Sequence, residues 1–216
     1  MNKLIALLPG ILFFYTCDAQ FYVEPIVGFQ KDLNKGSKLN QINSAINVSW
    51  KVGRTLELNV QVQRSWPITY KSSDAAFTTN PALPVSVAAN KTISPSALSL
   101  LVGQRTKILG RATNNSLFFV FYLGVSNQKI KVDYRYDKTN YTILNPDKSV
   151  NETGLYLSGG LEYMRNLKFG RIFTQLLAGG FIHKDINYPN SFTFLVPLSF
   201  NVGYSIPIFK KNKHEK

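Results

Sequence analysis

The chain has 216 residues with 44% hydrophobic, 13% aromatic and only 17% charged residues, which excludes a disordered chain and fits a single domain. Its formal net charge is +13, but the basic residues are scattered, apart from the tail Lys210–Lys216, and no nucleic-acid-binding motif accompanies them. The one cysteine, Cys17, excludes a disulfide scaffold and a cysteine-based zinc site.

Residues 1–19 read as a secretory signal peptide. Lys3 supplies the positive start, Leu4 to Thr16 form a short apolar stretch, and Cys17-Asp18-Ala19 place small residues where a signal peptidase cuts, before Gln20. Lipidation of Cys17 is the alternative use of this stretch. Beyond it no run of about 18 apolar residues offers a transmembrane helix.

Eight later segments alternate in character, as strands do. The first, Phe21–Asp32, sets Phe21, Val23, Val27 and Phe29 against Tyr22, Glu24, Gly28 and Gln30. The second, Gln41–Val52, and the third, Thr55–Trp66, alternate in the same way and are joined by the tight turn Gly53-Arg54. The fourth, Ser96–Ile108, matches a helix pattern locally, but Gly103 and Gly110 disfavour one. The fifth runs from Leu117 to about Asp133, the sixth from Gly154 to Arg165, and the seventh from Arg171 to His183. The eighth, Phe192–Phe209, has an apolar residue at every second position. Pro197 and Pro207 within it each remove a backbone donor, so a local gap is expected at Pro197 and a rim position for Pro207.

The connections alternate too. Leu33–Asn40, Pro67–Pro95, Tyr134–Thr153 and Lys184–Ser191 read as longer loops, and the three links between them are short. In an up-and-down sheet this collects the long loops at one end and both termini at the other. Membrane barrels have that asymmetry, and a chain that crosses lipid without helices must close into a barrel. The expected fold is therefore an all-β, eight-stranded antiparallel up-and-down transmembrane β-barrel over residues 20–209, with a basic tail over 210–216.

An eight-stranded barrel is filled by its own side chains. Glu24, Asn47, Lys51, Glu57, Gln61, Arg105, Glu162 and Gln175 are the candidate interior residues. Of these, Glu24, Lys51, Glu57, Arg105 and Glu162 form a candidate lumen charge network. An unpaired charge in a narrow lumen is costly, so Lys51 or Arg105 should meet one of the three carboxylates.

The start Gln20-Phe21-Tyr22, the eight alternating segments and the close Gly203-Tyr204-Ser205-Ile206-Pro207-Ile208-Phe209 resemble small outer-membrane β-barrel proteins. They are most similar to barrel-domain families common in Bacteroidetes. The resemblance implies a porin-like protein of a Gram-negative cell envelope, in the outer membrane, with external loops at the cell surface and both termini periplasmic. It implies a non-enzymatic structural or interaction role, a monomer, no cofactor and no metal. The implied partners are outer-membrane lipid, lipopolysaccharide and the barrel-assembly machinery. Phe209 then stands as the candidate assembly-signal aromatic, although seven residues follow it. Two alternatives stay open. An outer-leaflet lipid-modifying enzyme would have to use His183, beside Lys184 and Asp185. A secreted lipocalin-like barrel carrying a hydrophobic ligand would turn its apolar face inward.

Overall fold

The computed structural model describes residues 20–33, 40–110, 114–184, 192–195 and 197–208. The signal segment, Phe209 and the tail lie outside the described residues, as do most of the first and last long connections. Eleven strands form one antiparallel sheet: β1 (Phe21–Asp32), β2 (Asn40–Lys51), β3 (Leu56–Ile68), β4 (Tyr70–Thr78), β5 (Ser86–Leu109), β6 (Asn115–Arg135), β7 (Tyr141–Thr142), β8 (Val150–Leu167), β9 (Gly170–Lys184), β10 (Phe192–Leu195) and β11 (Pro197–Pro207). The segment Ser96–Ile108 is strand throughout, within β5.

Eight of these strands close a barrel. Each pairs with its neighbour in sequence, β3 pairs with β5, and β11 returns to β1 with Val27 opposite Val202. Closure gives every spanning strand a partner on both sides, which lipid requires because it offers no hydrogen bonds to a free edge. The last strand is split between β10 and β11, beside Pro197, and Pro207 ends β11. Ile208 donates its backbone N–H to Phe21, and Lys51 donates to Gln20. Both described chain ends therefore sit at the same rim as the β2–β3 turn.

The faces divide by polarity in the sense a membrane demands. Val27, Ile42, Ile46, Val62, Leu98, Leu100, Val125, Leu176 and Phe200 point outward and are exposed, Val27 to 63% and Ile46 to 61%. Their neighbours in sequence, among them Glu24, Asn43, Asn47, Asn59, Gln61, Arg105 and Gln175, are buried inside. An exposed apolar surface of this extent has no stable place in water; it is the lipid-facing band of a transmembrane barrel. A lipocalin-like carrier needs the opposite orientation, so that alternative is set aside. The interior is completed by Leu101, Val120, Tyr122, Tyr156, Phe173, Leu177 and Phe181.

Two long connections differ from their sequence reading. Pro67–Pro95 is not an irregular loop: β4 and the first half of β5 form a hairpin that stands on the barrel rim. Tyr134–Thr153 carries the short strand β7, which pairs with β4. The Pro, Ser and Thr content of these stretches signalled turns, whereas their pairing comes from β5 and β6, which simply continue upward. At about 3.3 Å per residue the 24 residues of β5 reach far beyond an apolar band about 25 Å tall. The extension has its own small core of Ala76, Ala89 and Tyr141, with Leu83, Val87, Tyr134, Tyr136 and Ile143 packed around it.

One glycine is fixed by close approach. A Cβ on Gly124, which faces inward on β6, would overlap the carbonyl oxygen of Leu100 and lie 2.8 Å from Leu101 Cα. Both are backbone atoms of β5, the neighbouring strand, and cannot swing aside. Replacing Gly124 by Val is expected to destabilise the barrel by about 1–3 kcal/mol, read as a lower urea midpoint in detergent micelles; an unchanged midpoint would show that the two strands can part there without cost.

Candidate functional site

The barrel interior is organised around Arg105. Its guanidinium reaches three carboxylates that come from three other strands. Nη1 and Nη2 donate to the two oxygens of Glu24 at 3.1 and 2.9 Å. Nη1 also donates to Glu57 Oε2 at 3.0 Å, and Nε forms an ion pair with Glu162 Oε1 at 2.8 Å. Arg105, Glu24 and Glu162 are fully buried and Glu57 nearly so. The planar fork of Arg suits this two-sided engagement as a Lys ammonium would not. The Phe173 ring lies 5.2 Å from the guanidinium carbon.

A second arginine completes the cluster. Arg171 donates to Glu57 Oε1 at 2.6 Å and Oε2 at 3.3 Å, to Glu24 at 3.4 Å, and to Ser205 Oγ from both Nε and Nη2. Its guanidinium stacks on Tyr22, 3.7 Å from the ring centre. Three carboxylates thus share two guanidiniums, and neutral donors satisfy further oxygens. Asn47 and Ser49 donate to Glu24 at 2.6 and 3.1 Å. Gln175 donates to Glu162 at 2.7 Å and to Tyr122 at 3.3 Å, and accepts from Asn201. Each of the eight barrel strands supplies at least one group to this network.

Glu24, Glu57, Arg105 and Glu162 therefore meet in one cluster, and Lys51 stands apart from it. Lys51 is the last residue of β2, half-buried, and lines a cavity at the short-turn mouth. It shares the inward face with the others and stands opposite Glu57 on β3, but no described ion pair joins the two, because both Glu57 oxygens are taken by the arginines. Arg171 was not among the sequence candidates. The signal was present: Arg171 and Gln175 have the same parity on one strand, so both must face inward. Its place at a strand start made it look like a solvated rim residue.

Among the described residues, the lumen differs on the two sides of the cluster. At the long-loop end Gln30, Asp32, Gln41, Pro95, Gln128 and Pro197 crowd around a gap of only about 20 Å³. At the short-turn end a vestibule of about 670 Å³ opens to the outside. No group of three or more His, Cys, Asp and Glu among the described residues is placed to hold a metal. The backbone of His183 pairs with Thr193 near the end of β9; its side chain lies outside the described residues.

A second polar cluster ties down the rim extension, outside the membrane-spanning segments. Lys91 on β5 bonds Asp74 on β4 at 3.2 Å and also ion-pairs with Asp147. Tyr134 donates to Asp74 at 3.0 Å and accepts from the Asp147 backbone. The bond to Asp147 is the main reason the Lys91 ammonium is held well above the ordinary lysine pKa, against the opposing effect of burial.

This is the fold of a small transmembrane β-barrel. The structure of Neisserial surface protein A is similar to it, with a TM-score of 0.54 at 9% sequence identity, covering 88% of this chain and 99% of that one. Weaker likeness, at TM-scores of 0.46 and 0.42, extends to a major outer membrane protein from Thermus thermophilus (13% identity, 88% and 100% coverage) and to the N-terminal β-barrel domain of Pseudomonas aeruginosa OprF (12% identity, 88% and 100% coverage). No family model and no curated protein matches the sequence.

Two outcomes test these clusters. Arg105→Met leaves three carboxylates facing one another with a single cation, and is expected to cost about 3–5 kcal/mol, seen as a fall in the urea midpoint; adding Glu162→Gln should recover part of that loss, which independent effects would not. Lys91→Met is expected to cost less, about 0.5–1 kcal/mol, with faster amide exchange in Tyr70–Thr78 and an unchanged barrel. Because the folded-state pKa of Lys91 is raised, its contribution is complete below the unfolded value of about 10.4 and disappears only as pH rises through the folded one. The variant's effect should thus be equal at about pH 6 and about pH 9.

Proposed function

We propose that the protein is an integral outer-membrane β-barrel whose lumen is a filled strut rather than a passage, and whose role is structural or in surface interaction, without catalysis. The observation that carries this reading is the Arg105 cluster, which ties all eight strands together across the lumen and leaves no described through-channel. Such a barrel holds a platform in the membrane. The platform here is the ordered extension of β4, β5, β6 and β7 with its own core.

In this reading the extension faces the cell exterior and both termini are periplasmic, as long-loop asymmetry implies for outer-membrane barrels. The closed sheet needs no second copy, so the protein works as a monomer. Resemblance of the strand starts and the closing segment carries the finer assignment to the Bacteroidetes-type barrel families. Phe209 serves as the aromatic read by the assembly machinery. Lys31, Arg64 and Lys129 project outward at the long-loop side of the apolar band, where they would meet the phosphates of lipopolysaccharide.

Membrane fractionation followed by electrophoresis of unheated and boiled samples tests the reading. The protein is expected in the outer-membrane fraction, resistant to carbonate, with a band that shifts on boiling. Recovery in the soluble periplasmic fraction would overturn it.

A further inference from the structure

The vestibule at the short-turn mouth is more than a leftover space beside the charge cluster. Lys51, Arg54 and Lys107 line its wall, and Arg171 and Glu57 form its floor. Glu57 is the one carboxylate among the lining residues. Both of its oxygens are already engaged, Oε1 by Arg171 at 2.6 Å and Oε2 by Arg105 at 3.0 Å. It belongs to a cluster of three carboxylates and two guanidiniums, whose single surplus negative charge is outnumbered by the three wall cations, and no described acidic side chain forms an ion pair with any of them. In a concave site with low-dielectric walls, uncompensated charge of one sign focuses the field and concentrates counter-ions.

The local fold brings these cations together. Lys51 ends β2 directly opposite Glu57, Arg54 sits in the tight turn that follows, and the Lys107 N–H donates to Thr55 O of that turn at 2.7 Å. The end of β2, the turn after it and the end of β5 so deliver three basic side chains to one side of the mouth. The remaining lining mixes apolar groups, Leu56, Phe118 and Met164, with polar ones. At about 670 Å³ the volume lies within the range of small-molecule sites, about 300–1,000 Å³.

We propose that this vestibule is a binding site for a polyvalent oxyanion of the phosphate class, held by Lys51, Arg54 and Lys107 at the short-turn end of the barrel. The site stands on its own geometry and is independent of which side of the membrane that end meets. Arginine and lysine converging without counter-ions favour a phosphate group over a monocarboxylate, since several acceptor oxygens can be met at once.

Titration calorimetry with pyrophosphate on the full chain, isolated in a neutral detergent at low ionic strength, is the test. Saturable binding at one site per barrel is expected, with no competition from acetate at matched ionic strength. Lys51→Gln/Arg54→Gln/Lys107→Gln should weaken binding at least about tenfold, whereas Lys51→Arg/Lys107→Arg, which keeps both charges, should retain saturable binding. Lys71→Gln/Lys131→Gln, at the other end, should change nothing. The boiling-dependent gel shift of each variant confirms that it is folded. Repeating the titration in nanodiscs separates the sources: loss of pyrophosphate binding only when phosphatidylglycerol is present assigns a lipid phosphate, and retained binding assigns a soluble one. Absence of binding to the parent, or equal binding by the triple Gln variant, would overturn the proposal.

Discussion

A guanidinium buried in a barrel that lies in lipid has no water to fall back on, and this structure is built around that constraint. Arg105 is tolerable inside because three carboxylates reach it from different strands and neutral donors occupy further acceptors. The desolvation of such charges is large, and the pairing offsets it only when geometry is right. The network also constrains the register of the strands. A register slip of one residue would turn Glu24 or Glu57 into the lipid face. The observed alignment keeps Arg105, Arg171 and the three carboxylates inside and partnered.

That requirement acts together with backbone hydrogen bonding. Lipid forces the sheet to close, and closure at eight strands leaves a lumen just wide enough for side chains. The lumen is filled in layers. Tyr122, Phe173 and Phe181 pack beside the charged cluster, and Pro95 and Pro197 help to shut the long-loop end. Where β5 and β6 approach at Gly124, no side chain fits. Charge, packing and backbone approach thus specify the same register.

Above the rim the solvent changes, and the stabilising pattern changes with it. The extension has a core of small residues and tyrosines and is fastened by Lys91 between Asp74 and Asp147. These contacts are partly hydrated and individually weak. The membrane barrel and its extension therefore differ in how they hold together: one by a buried network no member of which can be removed cheaply, the other by a modest core and surface pairs.

By itself the sequence determined the alternation of faces, the eight spanning segments, the tight turn at Gly53-Arg54 and four of the five charges that meet in the lumen. These are local or periodic properties, and a period of two is written directly in the order of residues. Which solvent the apolar face meets was left open by periodicity and was decided by closure of the barrel, which puts Val27 and Ile46 outside and Glu24 and Asn47 inside. Closure of the sheet brought Arg171 onto Glu57, where the two arginines take both carboxylate oxygens and leave Lys51, opposite on β2, outside the cluster. The hairpin of β4 and β5 was hidden behind turn-rich composition, because its pairing is set by strands that continue past the membrane rather than by its own residues. Periodicity fixes the side of a sheet on which a residue lies; its partner across the lumen is fixed only once the sheet has closed.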